Sequence, residues 1–133
     1  MANETVLVQR LEDRLLEVTV ADGAGIEKGT ILKLADPNTG AACSADGDLF
    51  LGILANEKVA SDGQTRMAVW RHGVFDIKDS GAGVTAGDPV KINGANLIAT
   101  ADDDTVEGMT EVVGIALQTG AASEVIEVLV GPY

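Results

Sequence analysis

Gly23-Ala24-Gly25-Ile26-Glu27-Lys28-Gly29-Thr30-Ile31-Leu32-Lys33-Leu34 is written a second time as Gly81-Ala82-Gly83-Val84-Thr85-Ala86-Gly87-Asp88-Pro89-Val90-Lys91-Ile92. Each copy runs a glycine-rich turn into an extended apolar segment. The Gly-Ala-Gly-(Ile/Val), the later Gly and the Lys stay in register. The echo continues downstream, where Gly52-Ile53-Leu54-Ala55 answers to Gly114-Ile115-Ala116-Leu117. Gly63 and Gly73 bracket a strand-like run, as Gly120 and Gly131 do. A duplicated unit of short strands and glycine turns predicts a compact all-β domain with internal pseudo-symmetry. Residues 23–34 and 81–92 should then share one backbone path, with residues at positive φ among Gly25, Gly29, Gly83 and Gly87.

Outward from the repeat, the chain reads as short strands separated by turns. The expected strands of the first half are Leu16–Val20, Thr30–Ala35, Ala41–Ser44, Leu49–Ala55, Thr65–Arg71 and Val74–Ile77. The second half repeats the plan with Pro89–Ile92, Leu97–Ala101, Val112–Gln118 and Val125–Val130. No window sustains helical periodicity over the ten or so residues that a helix needs. A small β-barrel or β-sandwich follows, occupying residues 15–133 as a single β domain. Residues 1–14 differ: they hold no glycine, carry Glu4, Arg10, Glu12, Asp13 and Arg14, and read as an N-terminal arm with a short extended piece at Val6-Leu7-Val8. A single helical turn around Leu11, Leu15 and Leu16 competes locally with that reading.

Composition narrows the function. Of 133 residues, 46% are hydrophobic and 3% aromatic, so the core is built from Val, Ile, Leu and Ala. The net charge of −12 repels phosphate backbones, which argues against direct nucleic-acid binding. It would also suit a high-salt host. Cys43 is the only cysteine, which excludes an intramolecular disulfide. No apolar run approaches the roughly 20 residues of a membrane-spanning helix, so no membrane partner is expected. The start, Met1-Ala2-Asn3-Glu4-Thr5, lacks the basic and apolar regions of a secretory signal, so a product made and kept soluble inside the cell, at least at first, is expected.

The candidate chemical motifs are weak. Gly23-Ala24-Gly25…Gly29 and its copy are spaced G-x-G-x-x-x-G and lead into strands, whereas a dinucleotide loop opens a helix. Asp102-Asp103-Asp104 and the Asp36, Asn38, Gly40 turn lack the glutamate that a calcium loop requires, so no metal site is expected. His72 is the only histidine and has no nucleophile context nearby; Cys43, among small residues, reads as core filler. No catalytic set, no cofactor site and no enzyme activity are expected.

Gly25–Leu34, then Phe50-Leu51-Gly52-Ile53-Leu54-Ala55, then Gly73-Val74-Phe75 form an ordered series of turns and strands. Gly87–Ile92, Val113-Gly114-Ile115-Ala116-Leu117 and Val125–Val130 complete it. The series resembles the capsid cement, or head decoration, proteins of tailed bacterial and archaeal viruses, over nearly all of residues 16–130. The resemblance implies a structural virion protein that trimerises on the outer surface of an icosahedral head and stabilises it. In such proteins the N-terminal segment becomes ordered on the shell. It implies the major capsid protein as partner and no catalytic residues. Contacts are then expected on Val6, Leu7, Val8, Arg10 and Leu11 of the arm toward the capsid. Trp70, Val74, Phe75 and the C-terminal Leu129-Val130-Gly131-Pro132-Tyr133 are the apolar material available for a trimer contact, core packing being the alternative role of each.

Val84-Thr85-Ala86-Gly87-Asp88-Pro89-Val90 is also similar to turns in lipoyl and biotinyl carrier domains. Those domains carry a modified lysine at a hairpin tip, whereas Lys33 and Lys91 fall inside strands. A generic β-barrel binding module is the remaining alternative.

Overall fold

The computed structural model describes residues 15–101 and 112–131. Among them every regular element is a strand: β1 (Leu15–Val20), β2 (Ile31–Asp36), β3 (Thr39–Ala42), β4 (Phe50–Leu54), β5 (Arg66–Trp70), β6 (Gly73–Asp79), β7 (Pro89–Ile92), β8 (Leu97–Thr100), β9 (Val112–Ala116) and β10 (Val125–Val130). These are the strands expected from the turn pattern. The shift of β3 has a local cause. Asn38 takes φ 54°, so Pro37 and Asn38 alone make the turn and Thr39 already pairs with Asp36.

The barrel is present twice. Strands β1 to β5 close in the order β1-β3-β2-β4-β5, with β5 returning to β1; β6 to β10 close in the equivalent order β6-β8-β7-β9-β10. Every pairing in one has its counterpart in the other, including the parallel pairs β1 with β3 and β6 with β8. Closure leaves neither sheet an unpaired edge. Val18, Val20, Leu32, Leu54, Met67 and Val69 fill the first barrel; Val90, Ile98, Val113, Ile126, Val128 and Val130 belong to the core of the second.

The duplicated turns superimpose in their bonding. Gly29 (φ 89°) donates its N–H to the Leu54 carbonyl, and Gly87 (φ 95°) donates to that of Ala116. Gly83 also has positive φ, whereas Gly25 does not. Both barrels carry a register shift at the same place, between Leu32 and Lys33 against β4 and between Val90 and Lys91 against β9. Glycine faces each shift because the chains pass too closely for a side chain. A Cβ on Gly114 would stand 1.9 Å from the Leu129 carbonyl oxygen, and one on Gly52 2.9 Å from that of Trp70.

Only Arg71 and His72 separate β5 from β6, so the barrels are held close. A row of outward side chains crosses the first barrel: Leu15 pairs with Trp70, Trp70 with Ile53, and Ile53 with Ile31. The second barrel covers this row, leaving Ile31 and Ile53 each 2% exposed and part of its own apolar cluster. Polar contacts fix the seating. The Ile31 N–H donates to Asn96 Oδ1 at 2.8 Å, the Cys43 thiol donates to the Gly94 carbonyl, and Lys91 Nζ lies 2.9 Å from Asp46 Oδ1.

Candidate functional site

The ends of the barrels are tied by two different devices at equivalent positions. An isolated bridge joins Ile26 to Lys58 in the first barrel and Val84 to Gly120 in the second, so Lys58 stands where Gly120 stands. Glycine is required at 120, because a Cβ there would come 2.5 Å from Ile126 Cγ2. Lys58 instead runs its stem inward to 1% exposure, and its ammonium donates to Asp22 Oδ1 (2.8 Å), Asp62 Oδ1 and the Val59 carbonyl. Burial opposes the charge on Lys58, but the hydrogen bonds from Asp22 and Asp62 outweigh it and raise its pKa. Both carboxyls are held below the usual range, foremost by the bond from Lys58.

In the second barrel the knot is a carboxylate. Asp79, fully buried, accepts N–H bonds at Oδ2 from Gly83 (2.7 Å), Gly81 (3.0 Å) and Ser123 (3.2 Å). Burial pushes its pKa up, yet these donors prevail and hold it below the ordinary carboxylate value. Its Oδ1 is buried with no hydrogen-bond partner. Each knot joins a glycine turn to the loop before the last strand of its barrel. These devices are structural. Their residues carry no signal in a single linear reading; the second half had to be laid over the first through the paired strands.

The sequence-expected residues fall in several places. Trp70 and Phe75 are partly buried against the larger apolar cluster where the barrels meet, and Val74 is 56% exposed on the outside of the second barrel. Tyr133 and the arm residues Val6, Leu7, Val8, Arg10 and Leu11 lie outside the described residues, as do Asp102, Asp103 and Asp104. Lys33 and Lys91 sit within β2 and β7, each near an aspartate, not at a hairpin tip. His72 lies in the two-residue linker, close against Gly131. Among the described residues no group of three His, Cys, Asp or Glu side chains is placed to hold a metal ion. Among them, too, no helix is long and apolar enough to cross a membrane.

What the molecule does present is surface. A groove of about 360 Å³ runs between the barrels, lined by Ile31, Ile53, Phe75, Ile77, Asn96 and Val125. On the outside of the second barrel, Pro89 pairs with Ile115, Ile115 with Leu129, and Leu129 with Val74. This is the pseudo-symmetric counterpart of the covered row Ile31, Ile53, Trp70 and Leu15, and of its members sequence reading singled out Val74 and Leu129.

Comparison with known proteins gives a family and a fold. Residues 9–132 match the family model described as phage cement protein. Among solved structures, the N base of the head fiber gp8.5 of bacteriophage phi29 is similar in fold, with a TM-score of 0.53 and 10% identity. That similarity covers 88% of this chain and 92% of the other, and at this identity it concerns the fold alone. No curated protein matches the chain in sequence.

Proposed function

The chain belongs to the phage cement protein family and is a capsid-associated structural protein; from that premise we propose that it seats on the outer surface of an icosahedral head, against the major capsid protein, as a homotrimer. The observation that carries this reading is the family match over residues 9–132, joined to a pair of closed barrels whose polar knots hold loops in place and whose apolar side chains reach the surface. The reading includes no catalysis.

The arm is the proposed anchor, through Val6, Leu7, Val8, Arg10 and Leu11. Residues 1–14 are too short to bury much apolar area by themselves, so their ordering has to be offset by contacts with a partner. A trimer presents three such arms, and three weak contacts reinforce one another through effective concentration. Val74 is the proposed self-contact, with Trp70, Phe75 and Tyr133 as the remaining candidates. Co-sedimentation with emptied heads tests the anchor: deleting residues 1–12 should leave the core folded and weaken attachment. Equal binding by the truncated chain would exclude the arm from that role.

A further inference from the structure

Among the described residues, the pseudo-symmetry leaves both halves of one interface uncovered. Within the chain, the outer row of the first barrel is the seat of the second barrel. The matching row of the second barrel, Val74, Leu129, Ile115 and Pro89, crosses four strands and has no barrel upon it: Val74 is 56% exposed and the other three are half-buried. Four strands span roughly 14 Å, enough to seat one edge of a small barrel.

The complementary half is also open. Part of the second barrel's seat on the first is the turn after β7, where Asn96 reaches Ile31 and Gly94 meets Cys43. Beside that turn, Ile92 is fully buried. The equivalent turn of the first barrel follows β2, with Asn38 (φ 54°) matching Asn96 (φ 56°). There Leu34, the counterpart of Ile92, is 40% exposed, and its neighbour Leu49, whose carbonyl accepts the Leu34 N–H, is 41% exposed. Pro89 fits this picture. Its counterpart Ile31 needs Asn96 to take up its N–H, whereas proline has no N–H to leave unpaired on an open row.

We propose that the row Val74–Leu129–Ile115–Pro89 of one copy receives the Leu34/Leu49 end of the first barrel of a second copy, repeating between chains the contact that joins the two barrels within one. Each copy then carries one row and one apolar end, so the contact is heterologous and propagates head to tail until a ring closes. The occupant is a second copy because the chain already contains the pseudo-symmetric counterpart of the barrel end that covers such a row. A net charge of −12 opposes looser self-association. The inference rests on the self-association in the proposed function and is independent of capsid binding.

The test is sedimentation velocity over a concentration series, with the full chain, Val74→Glu and Leu34→Glu. Circular dichroism verifies that each variant keeps the parental β spectrum and melting transition. Both positions are open to solvent in the single chain, so the variants should fold. Each substitution buries an unpaired charge in the contact and should raise the concentration needed for assembly by roughly a hundredfold. Mixing the two monomeric variants is decisive. Val74→Glu retains an intact apolar end and Leu34→Glu an intact row, so the mixture should form a heterodimer that cannot close into a ring. A parental oligomer undiminished in Val74→Glu would overturn this surface while leaving the trimer standing. A parent chain that is monomeric throughout would overturn both. Loss of assembly in each variant with no heterodimer on mixing would overturn the head-to-tail geometry.

Discussion

The two barrels share strand order, register shifts and turn glycines, yet they solve the same closure problem with opposite charges. The first draws its loops together around the Lys58 ammonium, held by Asp22 and Asp62; the second draws them around the Asp79 carboxylate, fed by backbone N–H groups. Topology is therefore conserved between the halves where backbone geometry demands it and free to diverge where only an electrostatic knot is needed. The outer rows differ in the same instructive way. The row that serves inside the molecule carries Ile31, Ile53 and Trp70, while its exposed counterpart carries Pro89, Ile115 and Leu129.

The sharpest way to break the comparison is at the glycines facing the register shifts. Gly114→Ala forces a methyl into the Leu129 carbonyl and should destabilise by about 3 kcal/mol. Gly52→Ala meets Trp70 and Val69 at longer range and should cost about 2 kcal/mol. Urea denaturation of both variants checks the order, and a Gly114→Ala protein as stable as the parent would refute the close approach.

Next in size is the Asp79 knot. Asp79→Asn keeps the shape but exchanges a charged acceptor for a weaker neutral one and introduces an amide donor among N–H groups. A loss of about 2 kcal/mol is expected, read by chemical denaturation, with hydrogen exchange accelerated at Gly81, Gly83 and Ser123. Uniform exchange across both barrels would contradict a local role.

Titration separates the halves by sign. Asp22, Asp62 and Asp79 are all lowered, so their contribution is present above the ordinary carboxylate pKa near about 4 and is lost as pH falls through the folded values. Both barrels should therefore loosen in acid below about pH 4. Lys58 is raised, so its contribution is complete below the ordinary lysine value near about 10.4 and is lost only as pH rises through the higher folded value. Alkaline loosening from this buried ammonium should thus be larger in the first barrel than in the second. Methyl resonances of the equivalent core residues Val69 and Val128, followed above about pH 10, report it. Parallel movement of both would undo the distinction.

The smallest effect is expected at Glu17 and Arg66, whose side chains remain 54% and 60% exposed despite a 2.8 Å contact. Arg66→Ala should change stability by about 0.5 kcal/mol or less, and less again in high salt. The second barrel has Val125 at the position of Arg66 and closes without this pair.

Much of this fold was legible because turns are local. Glycine spacing, the Asp36-Pro37-Asn38 turn and alternating apolar residues locate strands without knowledge of their partners. Double closure was not, since pairing β5 back to β1 and β10 back to β6 depends on contacts between distant segments. Lys58 was missed for a related reason: a lysine beside Glu57 reads as solvated surface, and only the strand pairing shows it occupying the place of Gly120. On the outer row of the second barrel, Val74 and Leu129 were legible as apolar residues after a turn and near the C-terminus, whereas Ile115 and Pro89 join them only through cross-strand register.

The most direct measurement of the central claim is a cryo-electron microscopy reconstruction of heads saturated with the chain, from the virus that encodes it, beside undecorated heads. The account predicts added density on the outer surface, at positions where three capsid subunits meet, accommodating three paired barrels with their N-terminal ends against the shell. Density confined to the interior, or none above that of undecorated heads, would contradict it.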